Sequence, residues 1–337
     1  MVKKDNSLAK FILIAAIISA GMTGLFWTDV YIYNNKATLP LWLKPPVFWL
    51  QNSWLDFTIK MATLNEPDPR ISLVAIDEYT TGRLGWPVPR QYYGRAIDEL
   101  KKLGAKTVVF DVLLLDSNQA NPGGDKKLVD STRNAGNVIH SGSVSEHVVS
   151  GQRVFQLQYP IPGLGEASWL VANPNVDEVL DDDGHVRRVR LFNRSGFYSG
   201  ASAGTGCSNC DGLPVMSLSA AAYASYTGAS VRQFYDSAKE RPVRWIHFVS
   251  PKYYPLHPGW KDGKNEEAVF AAFPRISLLD LTEGKLSDGQ KKLVKDGMVF
   301  VGSTALGAFD HYPTPFHPQL PGVEYHANSL DNMLHDN

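Results

Sequence analysis

A chain of 337 residues, 44% hydrophobic and 20% charged, is long enough for one large domain or two smaller ones with a real core. Its 33 Lys and Arg against 34 Asp and Glu give a net charge of -1, and no long basic run occurs outside the first ten residues. That excludes the phosphate-neutralising surface on which nucleic-acid binding depends.

Phe11 to Thr28 (FILIAAIISAGMTGLFWT) carries no charge, and at 1.5 Å per residue it nearly crosses a hydrocarbon layer of ~30 Å. Lys3, Lys4 and Lys10 precede it, Asp29 follows it, and Phe26, Trp27, Tyr31 and Tyr33 fall where an aromatic belt belongs. The pattern predicts a transmembrane helix over 11–28 with residues 1–10 cytoplasmic and the remainder exported. A cleaved signal peptide is the rival, since Ser19, Ala20 and Gly21 are small enough for processing. Residues 39–61 are rich in Trp and interrupted by Pro45 and Pro46, and read as a juxtamembrane helical segment with Trp42, Trp49 and Trp54 as amphipathic rings.

Residues 62–337 form the exported domain. Ile71–Ile76 (ISLVAI) reads as a strand buried on both faces and ending at Asp77. In 91–103 the apolar Tyr93, Ile97, Leu100 and Leu103 keep helical spacing before Gly104, and TVVFDV at 107–112 is a second buried strand. This βαβ succession requires parallel strands. A helix through Ala135 and a strand at 137–144 continue it. Asp183-Gly184 marks a hairpin leading into VRRVRLF, and Pro214 is read as opening a helix to about Tyr226. A strand at 244–249, a capped helix at 287–295, a strand at 298–302 and an amphipathic helix on Val323, Ala327, Leu330 and Leu334 close the chain. The expected fold is α/β, a mixed and largely parallel sheet with flanking helices, preceded by one transmembrane helix.

The only cysteines, Cys207 and Cys210, lie in a Gly/Ser-rich loop, and in an oxidising compartment their default is a local disulfide. Asp77 and Asp111 close parallel strands, where α/β sheets place their crevice, and Arg90 lies within reach of either. With Asp310, after the 298–302 strand, they form a candidate ligand site; an ion-pair network fixing the loops is the alternative. His311, His317 and His326 with Asp310 and Glu324 are the densest set of metal-ligand types, yet their spacing fits no zinc signature. The 181–183 aspartates lack the spacing of a calcium loop and read as a turn. VGSTALG at 301–307 has no Gly-Lys-Ser/Thr ending, so a nucleotide-hydrolysing loop is excluded and only a milder anion cradle stays open. No hydrolase elbow, metalloprotease motif or cofactor motif occurs.

Four collinear segments resemble the second class of CHASE domains, extracellular sensory domains associated with cyclases and histidine kinases. They are IDEYTTGRLGWPVPRQYYGRAIDELKKLGAKTVVFDVLL, DDDGHVRRVRLF, VGSTALGAFDHYPTP and PGVEYHANSLDNML, and the likeness spans about Leu39 to Leu334. The resemblance implies a periplasmic or external sensor domain, not itself an enzyme, in a bacterial inner-membrane protein whose output is an adenylate or guanylate cyclase, a kinase or a diguanylate cyclase beyond this chain. It implies no ligand residues, and the Cys207–Cys210 loop is not part of its pattern. The expected partners are the lipid bilayer, a second copy of the chain meeting it through the membrane-proximal segment, and an unidentified periplasmic cue. A membrane-anchored exported enzyme or solute-binding protein is the alternative reading.

Overall fold

The computed structural model describes residues 20, 21, 24, 44–62, 66–149, 152–176, 179–181, 183–200, 203–207, 209–249, 251–255, 268–305, 307 and 310–335. The expected span 11–28 lies almost wholly outside them, and among the described residues no helix is long and apolar enough to cross a membrane. Two compact units are present, Met1–Thr63 and Leu64–Asn337.

The first unit contains the helix Lys44–Ala62, within the expected juxtamembrane segment. Pro45 and Pro46 are tolerated because they stand in its first turn, where no intrahelical N–H bond is lost. Trp49, Trp54, Phe57 and Met61 are exposed, and the Trp54 and Phe57 rings stack at 5.6 Å. The helix therefore presents an apolar face.

The second unit is built on six parallel strands, Ile71–Ile76, Thr107–Leu113, Val138–Ser141, Leu170–Ala172, Arg275–Ser277 and Met298–Ser303. Across the sheet Arg275–Ser277 comes first, then Ile71–Ile76, Met298–Ser303, Thr107–Leu113, Val138–Ser141 and Leu170–Ala172. The central strands are apolar without alternation because both faces are covered. On one side the helices Arg90–Lys102 and Pro122–Ala135 pack Tyr93, Ile97, Leu100 and Leu128 against Val74, Ile76, Val108 and Phe110. On the other lie Leu218–Thr227 and the last helix, Gly322–Leu334.

That last helix differs from the expected amphipathic one, for it is buried from Gly322 to Met333. Its polar positions reached the interior because each found a partner there. Glu324 pairs with Arg275 (2.9 Å), Asn328 accepts from Val249 N (2.8 Å), Asn332 accepts from His247 N (2.8 Å) and Asp331 accepts from Asp68 N (2.8 Å). Buried polar groups are tolerated when so bonded. The Asp331 contact joins the last turn of this helix to the residues that lead into the first strand, and Met298 N donates to Arg70 O close by.

The segment read as a helix from Pro214 starts later. Pro214–Met216 is a short strand paired with Phe192–Phe197, and Ser217 caps the helix Leu218–Thr227 by accepting from Ala220 N. Proline at a strand start is as permissible as at a helix start. The strand expected at 137–144 ends at Ser141, and Ser143–Val149 forms a hairpin with Gln152–Gln158. The strand expected at 244–249 is Val243–Trp245, beyond which Asn328 and Asn332 take over the backbone bonding.

The 181–188 segment contains a fully buried Arg187. Its Nη1 donates to Asp181 Oδ2 and Asp183 Oδ1, both at 2.9 Å, and its Nη2 to Asp183 Oδ2 at 2.8 Å. The guanidinium beside Asp183 holds that carboxyl down to about 2. The Asp-Gly turn, with Gly184 at φ 76°, thus curls two carboxylates onto one buried cation. Cys207 and Cys210 are joined, with Cα atoms 5.1 Å apart.

Candidate active cavity at the carboxyl edge of the sheet

Because all six strands of this sheet run the same way, their carboxyl ends meet at one edge, where ligand crevices form in open α/β sheets. A cavity of about 890 Å³ lies there. Its wall takes Trp86 to Pro89 from the turn after the short helix Glu78–Leu84, Arg90 from the start of Arg90–Lys102, Asp111 to Leu114 from the end of the second strand, Ser303, Asp310, Tyr312, and Gly322 and His326 from the last helix.

Strand alternation places Asp111. Val108 and Phe110 point to the Tyr93 face, while Thr107 bonds Ser225 on the opposite face, so Asp111 shares the face of the last helix. Gly302 stands beside it in register; a methyl there would lie 2.7 Å from Val323 Cβ and 3.2 Å from Asp111 Cβ. Only glycine lets helix and strand approach so closely. Gly322 does the same for Asp310, whose Oδ2 would stand 2.5 Å from a Cβ at that position.

Asp111 Oδ2 is buried without a hydrogen-bond partner. Burial first, and then the neighbouring Asp310 charge, pushes the Asp111 carboxyl well above the usual carboxylate range. Asp310 is also raised by burial, against the opposing pull of its Tyr312 bond and the His311 charge. His326 is buried one helical turn beyond Gly322, and a helical side chain leans back toward the preceding turn. One ring nitrogen, Nε2, lies 3.1 Å from Pro174 O; a carbonyl only accepts, so Nε2 carries the proton and Nδ1 is a bare acceptor with no partner. Burial drives its pKa down to about 4, leaving a neutral ring at pH 7.

The other expected site residues fall differently. Arg90 lines the cavity but reaches neither Asp77 nor Asp111: its Nη1 pairs with Asp125 Oδ1 at 2.7 Å and its Nη2 donates to Asp116 O. Asp125 in turn accepts from Asn118 N at 2.8 Å, so the arginine fastens the loop after the second strand. Asp77 does not line the cavity. It caps the helix Glu78–Leu84 by accepting from Thr80 N (2.8 Å) and takes a bond from Ser277 Oγ (3.2 Å). Thr304 N donates to Ile76 O, which removes one N–H from the anion cradle considered for 301–307. Of the metal-ligand types, Glu324 is held by Arg275 and His317 Nδ1 accepts from Gln319 N. Among the described residues no three such side chains converge.

Sequence reasoning missed His326 as a cavity residue, together with Trp86, Tyr312 and the two glycines. The available signal was the four-residue spacing of Gly322 and His326 on one helix face.

A family model described as CHASE2 domain matches residues 36–337. No curated protein and no solved structure matches the chain.

Proposed function

The chain belongs to the CHASE2 domain family, a family of extracellular sensory domains found in signalling proteins, and from that premise we propose that it is the cue-binding part of a membrane-bound bacterial receptor, with the cavity as its receptor site. The observation that carries this reading is the last helix. Its first two turns form cavity wall through Gly322 and His326, and its last turn is bonded through Asp331 to the start of the unit. Thirteen residues at 1.5 Å each span about 20 Å, so one rigid element runs from the cavity to the place where both ends of the unit meet. A ligand that shifts the first turn moves the exits. The exits lead to the anchor at 11–28 on one side and, past Asn337, to a cyclase or kinase output on the other.

The exposed aromatic face of Lys44–Ala62 supports a membrane-proximal dimer, through which a change at the exits reaches two output domains together. Cross-linking from single cysteines on that face in intact membranes should capture the dimer; a strict monomer there would remove this route. The receptor reading is tested by fusing alkaline phosphatase or a cytoplasm-active fluorescent protein at Ala62. An active phosphatase and a dark fluorescent protein are expected. The reverse pattern places the domain in the cytoplasm and ends the reading.

A further inference from the structure

The atoms on the cavity wall restrict what can bind there, and the inference below rests on the receptor reading. Asp111 Oδ2 and His326 Nδ1 are both buried acceptors without partners, and Asp310 lies against the first residue of the last helix. Arg90, the one basic side chain among the described lining residues, is committed to Asp125 and Asp116 O. We propose that the cavity binds a small organic amine in its protonated form, its ammonium held between Asp111 and Asp310 and its apolar body against Trp86, Val112, Leu114 and Val176.

An ammonium carries three N–H donors and no acceptor, which matches a wall that offers acceptors and no free donor cation. Two carboxylates in a cavity of low polarity repel each other, and a cation between them converts that repulsion into attraction on both sides. Both carboxyls are raised by burial, and Asp111 further by the Asp310 charge, which is the empty-site counterpart of the same effect. An anionic ligand would add a third negative charge. The N-terminus of the last helix, which could favour an anion, is already faced by the Asp310 carboxylate beside Gly322. A neutral alcohol could meet the acceptors but would leave both carboxylates uncompensated. The volume of about 890 Å³ falls within the range of small-molecule sites, and much of the remaining wall is apolar.

Calorimetric titration of the full 337-residue chain in lipid nanodiscs with n-hexylamine, 1-hexanol and hexanoate varies the charge while keeping the chain length. Hexylamine should bind at millimolar or lower concentration, hexanol roughly tenfold or more weakly, and hexanoate not at all. Asp111→Asn and Asp310→Asn should each weaken the amine by roughly tenfold or more while Asp288→Asn, on an exposed helix, leaves it unchanged. Circular dichroism melts accompany each variant. If either fails to melt cooperatively, Gly322→Ala, which sets a methyl against the Asp310 carboxylate, serves in its place and should weaken the amine as well. Absent amine binding, hexanoate or hexanol binding as tightly as the amine, or amine binding indifferent to every cavity variant would each overturn the proposal. Amine binding without any change in signalling output would keep the proposal and defeat the receptor reading. Signalling that needs Asp111 without amine binding would do the reverse.

Discussion

Two pairs of acidic side chains in this unit sit in opposite electrostatic settings. Asp181 and Asp183 close on the guanidinium of a fully buried Arg187, and the Asp183 carboxyl is held down to about 2. Asp111 and Asp310 line one cavity, the Asp310 charge acts on Asp111, no free lysine or arginine stands among the described lining residues, and both carboxyls are held above the usual range. What separates a structural clamp from a binding site here is whether the protein supplies the counter-charge itself. Where it does, the fold is tied; where it does not, the deficit is left for a ligand or a proton.

The clamp is the place to break the comparison first. Arg187→Met takes the buried cation from both carboxylates, leaving Asp181 its Arg188 pair and Asp183 an apolar side chain beneath it, and should remove ~3–5 kcal/mol, seen as a lower midpoint in chemical denaturation. A loss below about 1 kcal/mol would mean that the turn is held by its backbone bonds alone.

Titration should then separate the pairs by sign. A carboxyl depressed in the folded state stabilises the protein above its unfolded value and loses that contribution as pH falls. Asp183 should therefore withdraw roughly 2 kcal/mol between about pH 4 and pH 2. A carboxyl raised in the folded state does the opposite, so Asp111 and Asp310 each cost stability as they ionise with rising pH, and that loss is recovered as pH falls toward 4. His140 and His326, driven down to about 3 and about 4 by burial, withdraw stability below about pH 6.5 whatever the carboxyls do. Melting curves of Asp183→Asn and Asp310→Asn read against wild type cancel that background. Difference slopes of the same sign would contradict the distinction.

Arg90 tests the boundary between the two settings, because it lines the cavity yet pairs outside it. Arg90→Gln should lower stability by about 1–2 kcal/mol through the lost Asp125 pair and free the loop at 116–121 for faster amide exchange. Unchanged exchange there would mean that the loop is fixed without it.

The legible part of the fold was what continuous apolar runs announce. ISLVAI, the TVVF of TVVFDV and MVFVG are buried on both faces, and all three runs could be read as parallel strands at their observed places. Leu170–Ala172 and Arg275–Ser277 were not legible, because three residues carry no periodicity and are held in the sheet by their neighbours' register. The last helix was placed correctly but given a solvent face, since Glu324, Asn328 and Asn332 are polar and nothing in one sequence says that backbone groups far along the chain will meet them. At the cavity, Asp111 and Asp310 could be picked out because carboxylates at strand ends have one edge to face. Arg90 could not be assigned its partner, since a long side chain chooses among loops whose course the sequence leaves open. His326 was weighed as a metal ligand or a capping residue and missed as an acceptor, because its tautomer depends on the Pro174 carbonyl.

The most direct measurement joins stability and response in one variant. Asp111→Asn removes a buried carboxyl oxygen that has no partner and whose ionisation burial opposes, without changing the shape of the wall, so the melting temperature at pH 7 should equal or exceed that of wild type. In the same variant, fused in its membrane to a reporter cyclase, the response to the amine should be lost. A drop of many degrees would make Asp111 part of the framework, and a response equal to wild type at unchanged stability would contradict the account that the cavity is where the cue binds.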